Sequence, residues 1–492
     1  MQLTIQNKAE KQVKNFWNAI HFHPTDAIED AWGQRILTRV AEDKVARTVR
    51  MYTMMEDIVS MDANGNLQYD FTENDVRMDY MVQKGFDLLL SYNFIPPCIS
   101  SDPEEVSKVC KKATRYKGKF IVTAPPKDYK LWEEICYTYT KHIVERYGMA
   151  RVKNWKLQCF NEPDCRSFFM RDEENLETKA KEYCKLYDAF EAGIRRVSDK
   201  LFIGGPALAF FCDFLDVFLT HVRENKKKMD YICFHVYGTG PDALNAGGEI
   251  TVENCMRLLR DTMEHIRAQG FGHLPVYIDE WGASNSGFRN REECPKLLFR
   301  ENEIYSVFFV KWYTAIIREG CPIEKMMICL SGQHEMEADF TGFRNFFTLN
   351  FFQKPIYNAY MLSAKLGEDV LLLKEEDNVT VFATKDAKEN VQILLCNADE
   401  TFSAQAPEKT VTLKLEGFEE AYQVKKYIID KTHSNAIDLY DRIVENEQPT
   451  EAQIDEIRKA GMLHTEDLGK CSVTDIQETL GANAVVLYEL VK

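Results

Sequence analysis

The strongest constraint in this sequence is a short apolar strand that runs straight into an acid and a proline, Trp155-Lys-Leu-Gln-Cys-Phe-Asn-Glu-Pro-Asp164. Pro163 has no N–H for a ladder and restricts the residue before it, so the strand must stop at Glu162. That residue is expected in an extended or turn conformation, presenting its carboxyl at the strand's C-terminal end. Parallel barrels assemble their sites at that end. A single solvent-facing acid would explain the tripeptide as well, so the reading needs a second group. It comes in Leu274-Pro-Val-Tyr-Ile-Asp-Glu-Trp-Gly282, another β-branched apolar run, which ends in Glu280 and Trp281. Between the two lies Tyr231-Ile-Cys-Phe-His-Val-Tyr-Gly238, whose His235 and Tyr237, two apart, share one face of a strand.

Two strand-end glutamates on one scaffold suit a retaining glycosidase, which needs carboxyl groups roughly 5 Å apart, one as nucleophile and one as acid then base. Neutral donors beside a carboxylate orient it and keep it ionised, the part read for His235 and Tyr237 together with sugar binding; core packing at a strand end is the alternative. In order and spacing these motifs resemble glycoside hydrolase family 39, the family of β-xylosidases and α-L-iduronidases within the larger clan of (β/α)8 glycosidases. The resemblance implies that Asn161-Glu162-Pro163 ends strand four with the acid/base, and that Glu280-Trp281 ends strand seven with the nucleophile. It also implies that Asn161 hydrogen-bonds the sugar 2-hydroxyl. Trp281 either stacks on a sugar face or packs behind the nucleophile.

The rest of the chain fits an α/β fold, a (β/α)8 TIM barrel followed by an antiparallel β-sandwich. Eight strand candidates can be counted: Phe16–Ile20, Ala46–Tyr52, Phe86–Tyr92, Trp155–Phe160, Leu201–Gly204, Tyr231–His235, Val276–Asp279 and Met326–Leu330. Helical stretches with apolar spacings of three and four intervene, for example Asp128–Tyr147 and Glu174–Val197. After about Gly367 the texture changes to short alternating runs, with a helical interlude over Ile437–Ala460 and a last strand from Ala484. This gives a catalytic barrel over 8–366 and a sandwich over 367–492. Residues 1–7 are assigned to the sandwich by resemblance, and His433-Ser-Asn-Ala436 resembles a segment of the family's sandwich.

A formal charge of −16 on 492 residues disfavours nucleic acid and other polyanionic partners and suits a neutral glycoside or oligosaccharide substrate. No run reaches the roughly eighteen apolar residues of a membrane span, and the first residues lack a signal-peptide core, so the chain reads as cytoplasmic, or as secreted if a leader has been removed. A homo-oligomer is compatible with the sequence. The 14 cysteines form no Cys-x-x-Cys pair and signal neither zinc nor a disulfide framework. His21 and His23 lie two apart after strand one without a third ligand, which favours a rim contact to substrate over a metal. No metal or cofactor is called for, and the basic run Lys226–Lys228 reads as a solvated helix end.

Compared with the family pattern the chain departs at Tyr52, where a histidine is usual, at Phe160 for tryptophan and Asp164 for asparagine, and in strand eight, Met327-Ile-Cys-Leu-Ser-Gly332. Tyr52 is therefore taken as a substrate-side residue, and the departures are expected to reshape the pocket. Iduronidases carry a lysine where Tyr237 stands, although Arg344 could supply charge for a uronate. The favoured reading is a retaining, exo-acting glycosidase for a neutral, xylose-like glycoside. A uronide or other family glycone comes second, and a non-catalytic glycan-binding barrel third.

Overall fold

The computed structural model describes residues 1–22, 31–107, 121–287, 289–330, 336, 338–418, 421–446 and 448–492. Eight strands, Ala19–Phe22, Thr48–Tyr52, Asp87–Tyr92, Lys156–Cys159, Phe202–Leu208, Tyr231–Tyr237, Val276–Gly282 and Ile323–Leu330, pair in parallel and close into a barrel. The eighth returns to the first, Met327 beside Ala19 and Leu330 beside Phe22. Their apolar, β-branched runs are long enough to cross the barrel wall and are buried on both faces, as a sheet covered by helices requires.

The crossover helices begin where the sequence supplies caps. Asp128 accepts from the Lys130 N–H at the start of Tyr129–Tyr147, and Asn175 from the Thr178 N–H at the start of Leu176–Val197. The first barrel strand begins later than expected. Phe16 and Trp17 precede it as packing residues, the Trp17 ring stacked on Tyr313 at 4.6 Å and its Nε1 donating to the Ser363 carbonyl. Their burial, not a strand, accounts for the apolar run.

Six strands of the C-terminal region join Lys11–Gln12 in one sheet and two join Gln2–Gln6 in another, antiparallel throughout except where Gln2–Gln6 runs parallel to Lys409–Glu416. Ile5, Leu371, Ile393, Leu413, Val424 and Val486 share a core there. Lys11–Gln12, on the barrel side of the expected boundary, pairs with Asp369 and Val370 of the larger sheet. The interlude is two helices, Ile437–Ile443 and Glu451–Gly461, not one. Pro449 disfavours helical backbone before it, and Thr450 starts the second helix with a capping box to Gln453. Two strands of the C-terminal region escaped the sequence reading, His464–Cys471 and Asp475–Leu480; both are edge strands dominated by polar and charged residues, so neither shows an apolar run.

Helix Glu303–Glu319 lies between barrel and sheet and is buried nearly all round, as a helix with two apolar environments must be. Phe309 stacks on Trp281 on the barrel side at 5.6 Å, and Phe308 meets Phe402 on the other at 5.5 Å. The segment His433-Ser-Asn-Ala436 fastens the same seam: Asn435 Nδ2 donates to Glu303 at 2.8 Å, and Asn358 Nδ2 donates to the Ser434 carbonyl at 3.0 Å. No described helix is long and apolar enough to cross a membrane.

Candidate active site

The C-terminal ends of barrel strands two, four, six and seven converge on one buried cluster of charge. Strand six turns His235 and Tyr237 inward together, as their spacing requires. The Tyr237 hydroxyl donates to Glu280 Oε2 at 2.6 Å, and His235 Nδ1 lies 2.7 Å from Glu162 Oε1 and 3.6 Å from Glu280 Oε2. The imidazole thus stands between the two acids. Carboxylate oxygens of Glu162 and Glu280 and a His235 ring nitrogen all lie within 4.8 Å of one another.

Strand two contributes the alternating pair Arg50 and Tyr52. Arg50 is fully buried; its Nη1 donates to Glu280 Oε1 at 2.7 Å, its Nη2 to Asn161 Oδ1 at 2.7 Å, and its Nε lies 3.0 Å from both Gln158 Oε1 and Asp279 Oδ2. The Tyr52 hydroxyl donates to Glu280 Oε1 at 3.0 Å, so this residue touches the nucleophile candidate directly. His21 on strand one places Nε2 3.4 Å from the same oxygen, which makes it part of the carboxylate's surround rather than a rim residue. His23 lies outside the described residues. Arg344, in the region after strand eight, is buried and donates through Nη1 to the Tyr237 hydroxyl at 2.9 Å.

Tyr277 shares the barrel interior with Cys233 and Met327, so strand alternation would send Glu280 outward, yet Asp279 and Glu280 both face in. The ladder with strand six pairs Phe234 with Ile278 and His235 with Glu280, so Asp279 is an extra, bulged residue. A bulge of this kind re-aims side chains next to a site. Trp281 then points out of the barrel, fully buried and stacked on Phe309. It packs behind Glu280 and offers no face to a sugar, which corrects the substrate-stacking reading.

Glu162 takes φ 45°, in the left-handed region rather than an extended one, and Phe160 takes φ 64°. Such backbone costs on the order of 1 kcal/mol for a non-glycine residue and is held here by neighbours. The Glu162 N–H donates to the Ala207 carbonyl at 3.0 Å, and the Phe160 carbonyl accepts from Ser91 Oγ at 2.9 Å. The Phe160 ring is buried against Phe94 and Phe169, so its exchange for tryptophan alters the support behind the acid and not a pocket surface. Asn161 is completely buried, and its Nδ2 donor has no protein partner among the described residues.

Burial would raise both glutamates, but their surroundings separate them. At Glu280 the pull of His235, His21 and Arg50, with the Tyr237 hydrogen bond, overcomes desolvation and holds the carboxyl well below the usual range. At Glu162 desolvation wins over His235, and the negative Glu280 adds to it, so the carboxyl is pushed up. His235 itself, despite burial, is pushed up to about 10 by Glu280 and Asp279. One acid is thereby kept ionised and the other is ready to hold a proton, the division of labour that acid–nucleophile pairs need.

Two groups have ligand-type atoms close enough for a metal, His21 with Glu280 and Cys329, and Glu162 with His235 and Glu280. Both share Glu280, whose oxygens already take Arg50, Tyr52 and Tyr237. A protonated His235 has no lone pair to give, and a guanidinium 2.7 Å away repels a second cation, so the donor set suits a sugar ring better. The sequence reading missed Arg50, Gln158 and Asp279. The available signal was an ionised or amide side chain inside an otherwise apolar strand, at Arg50, Gln158 and Asp279; the bulge hid only that Asp279 and Glu280 face in together.

A parallel eight-stranded barrel with two opposed glutamates at strands four and seven defines a barrel glycosidase. The chain matches the family model for glycosyl hydrolases family 39 over residues 1–467 and belongs to that family; it is a glycoside hydrolase. A β-xylosidase of Caldicellulosiruptor saccharolyticus is 23% identical over 484 residues, covering 95% of this chain and 92% of the relative. The α-L-iduronidase of Canis lupus familiaris is 25% identical over 300 residues, 56% of this chain and 40% of that protein. In fold, the crystal structure of a monomeric β-xylosidase from Caulobacter crescentus CB15 aligns over all of this chain and 99% of that one, with a TM-score of 0.83 at 20% identity.

Proposed function

We propose that the enzyme removes single neutral, xylose-like residues from the ends of its substrates by double displacement, with Glu280 as nucleophile and Glu162 as acid and then base. The observation that carries this is the separation of the two carboxylates, whose oxygens approach within 4.8 Å across His235. Inverting enzymes need roughly 6.5–9.5 Å to seat a water between the pair. Glu280 Oε attacks the anomeric carbon while the proton of Glu162 passes to the departing glycosidic oxygen. The new ester removes the charge of Glu280. Because that charge helps to raise Glu162, its loss lowers the Glu162 pKa and suits it to take a proton from the incoming water. The water oxygen then bonds to the anomeric carbon and Glu280 leaves as carboxylate. Asn161, its Oδ1 fixed by Arg50, directs its unpartnered Nδ2 at the sugar 2-hydroxyl, a contact that strengthens in the transition state.

The neutral glycone is supported by the β-xylosidase of Caldicellulosiruptor saccharolyticus, which matches along nearly the whole chain at 23% identity. A uronide is the second reading, favoured by Arg344, a buried guanidinium beside Tyr237 that could meet a carboxylate. A screen of aryl β-xyloside, α-arabinoside, β-glucoside, β-galactoside and α-iduronide separates the two. Release of xylose is expected from the wild type and not from Glu280→Ala. Release from the iduronide alone would replace the neutral reading, and silence on the whole panel would sink it.

A further inference from the structure

Two large apolar side chains stand exposed on a loop hydrogen-bonded to the segment that carries Glu162. Phe210 and Phe211, on the loop after barrel strand five, are 49% and 43% exposed, with ring centroids 6.0 Å apart and planes at 71°. Elsewhere in the described residues no two exposed large hydrophobics are adjacent in sequence: Val76, Leu349, Met462 and Leu468. Exposed aromatic area of this kind marks a surface that meets a ligand.

The loop is tied to the catalytic segment. Asp164, two residues beyond Glu162 and nearly fully buried, accepts the backbone N–H groups of Ala209, Phe210 and Phe211 at 2.9, 2.8 and 3.1 Å. The reverse tie runs from the Glu162 N–H to the Ala207 carbonyl, and Lys179 Nζ donates to the Asp164 carbonyl at 3.1 Å. The carboxylate also sits at the start of helix Cys212–Glu224, where free N–H groups favour an anion. The acid and the aromatic pair therefore move as one unit. A general acid must reach the oxygen of the departing group, so that group lies on the Glu162 side of the site, toward strand five.

We propose that Phe210 and Phe211 form the platform that takes the leaving group of the substrate through an apolar face, and that Asp164 is the positioning residue holding this platform in register with the acid. The inference rests on the assignment of Glu162 as acid/base. The shared chemistry is a flat or C–H-rich surface, which either an aryl aglycone or a second sugar ring presents.

The test measures kcat/KM for the wild type, Phe210→Ala, Phe211→Ala and the double variant. Three substrates of the glycone released in the screen are used: an aryl glycoside, a disaccharide and the glycosyl fluoride, whose leaving atom is too small to reach the rings. Each single alanine should lower the aryl-to-fluoride ratio about two- to tenfold, mainly through KM, and Phe→Tyr at either position should restore it. An equal fall on the disaccharide identifies a sugar ring as an accepted leaving group; a fall confined to the aryl substrate identifies a planar aromatic one. A ratio unchanged in the double variant, or a loss equally large on the fluoride, overturns the platform. Failure of the underlying assignment reads differently, as a Glu162→Ala variant equally impaired on the fluoride and the disaccharide.

Discussion

The two halves of the site are built on opposite principles. Around Glu280 the protein concentrates donors and cations: Arg50, Tyr52, Tyr237 and His21 all face one carboxylate, and Arg344 backs Tyr237. Around Glu162 there is, among the described residues, one side-chain hydrogen-bond partner, His235, and a strained backbone anchored by carbonyls and a buried aspartate. The proposed nucleophile is defined by electrostatics and the proposed acid by position. A charge that must persist through every encounter with substrate needs many partners, whereas a proton that must leave and return needs few.

The largest test of that contrast removes the nucleophile. Glu280→Ala should lower turnover by on the order of 10⁴ or more, with azide restoring release as the opposite anomer; a variant that keeps wild-type kcat would end the assignment. Glu162→Ala should cost roughly 10²–10⁴ on substrates with poor leaving groups and far less in the first step of activated aryl glycosides. In the wild type the pH profile should be a bell whose acid limb falls below the ordinary glutamate value of 4.5, because Glu280 is lowered, and whose alkaline limb lies above it, because Glu162 is raised. Azide-dependent turnover by Glu162→Ala should have lost the alkaline limb; its persistence would assign that limb to another group.

Arg50→Met sharpens the comparison from the other side. It strands Asp279 and Glu280 as buried anions, so stability should fall by roughly 3–5 kcal/mol and the acid limb should move upward, since the lowered pKa of Glu280 depends on that cation. Differential scanning calorimetry and a pH–rate profile check both; an unmoved acid limb would show that the histidines alone set the charge. The smallest effect is expected at Trp281→Phe, about 1 kcal/mol in stability with KM nearly unchanged, because the ring packs on Phe309 outside the barrel. A tenfold rise in KM would return Trp281 to the substrate.

The two glutamates were legible because a proline and an aromatic punctuate strands whose period is simple. That His235 and Tyr237 share a face beside Glu280 followed from alternation; that His235 also meets Glu162 did not. The shared inward facing of Asp279 and Glu280 did not, since a single bulged residue interrupts alternation locally and leaves no mark in composition. Arg50 was present in a recognised strand, but its value lies in partners from strands four and seven, contacts between residues more than a hundred positions apart. In the C-terminal sheets the strands with buried faces could be read, and the charged edge strands could not. Phe16 and Trp17 show the converse error, apolar residues that look like a strand because they are buried for another reason.

The pairing of Gln2–Gln6 with Lys409–Glu416 carries a consequence for the order of events during synthesis. Thr412 is made some 410 residues after its partner Gln2, which at 5–20 residues per second is about 20–80 s. For that interval the first strand has no ladder to join and must wait while the barrel forms behind it. Its sequence, Gln-Leu-Thr-Ile-Gln, suits the wait: polar residues flank the two aliphatic ones, so an early hydrophobic clump has little to seize. The smaller sheet is completed only when both of its outer strands, one among the oldest parts of the chain and one among the newest, close on the strand between them.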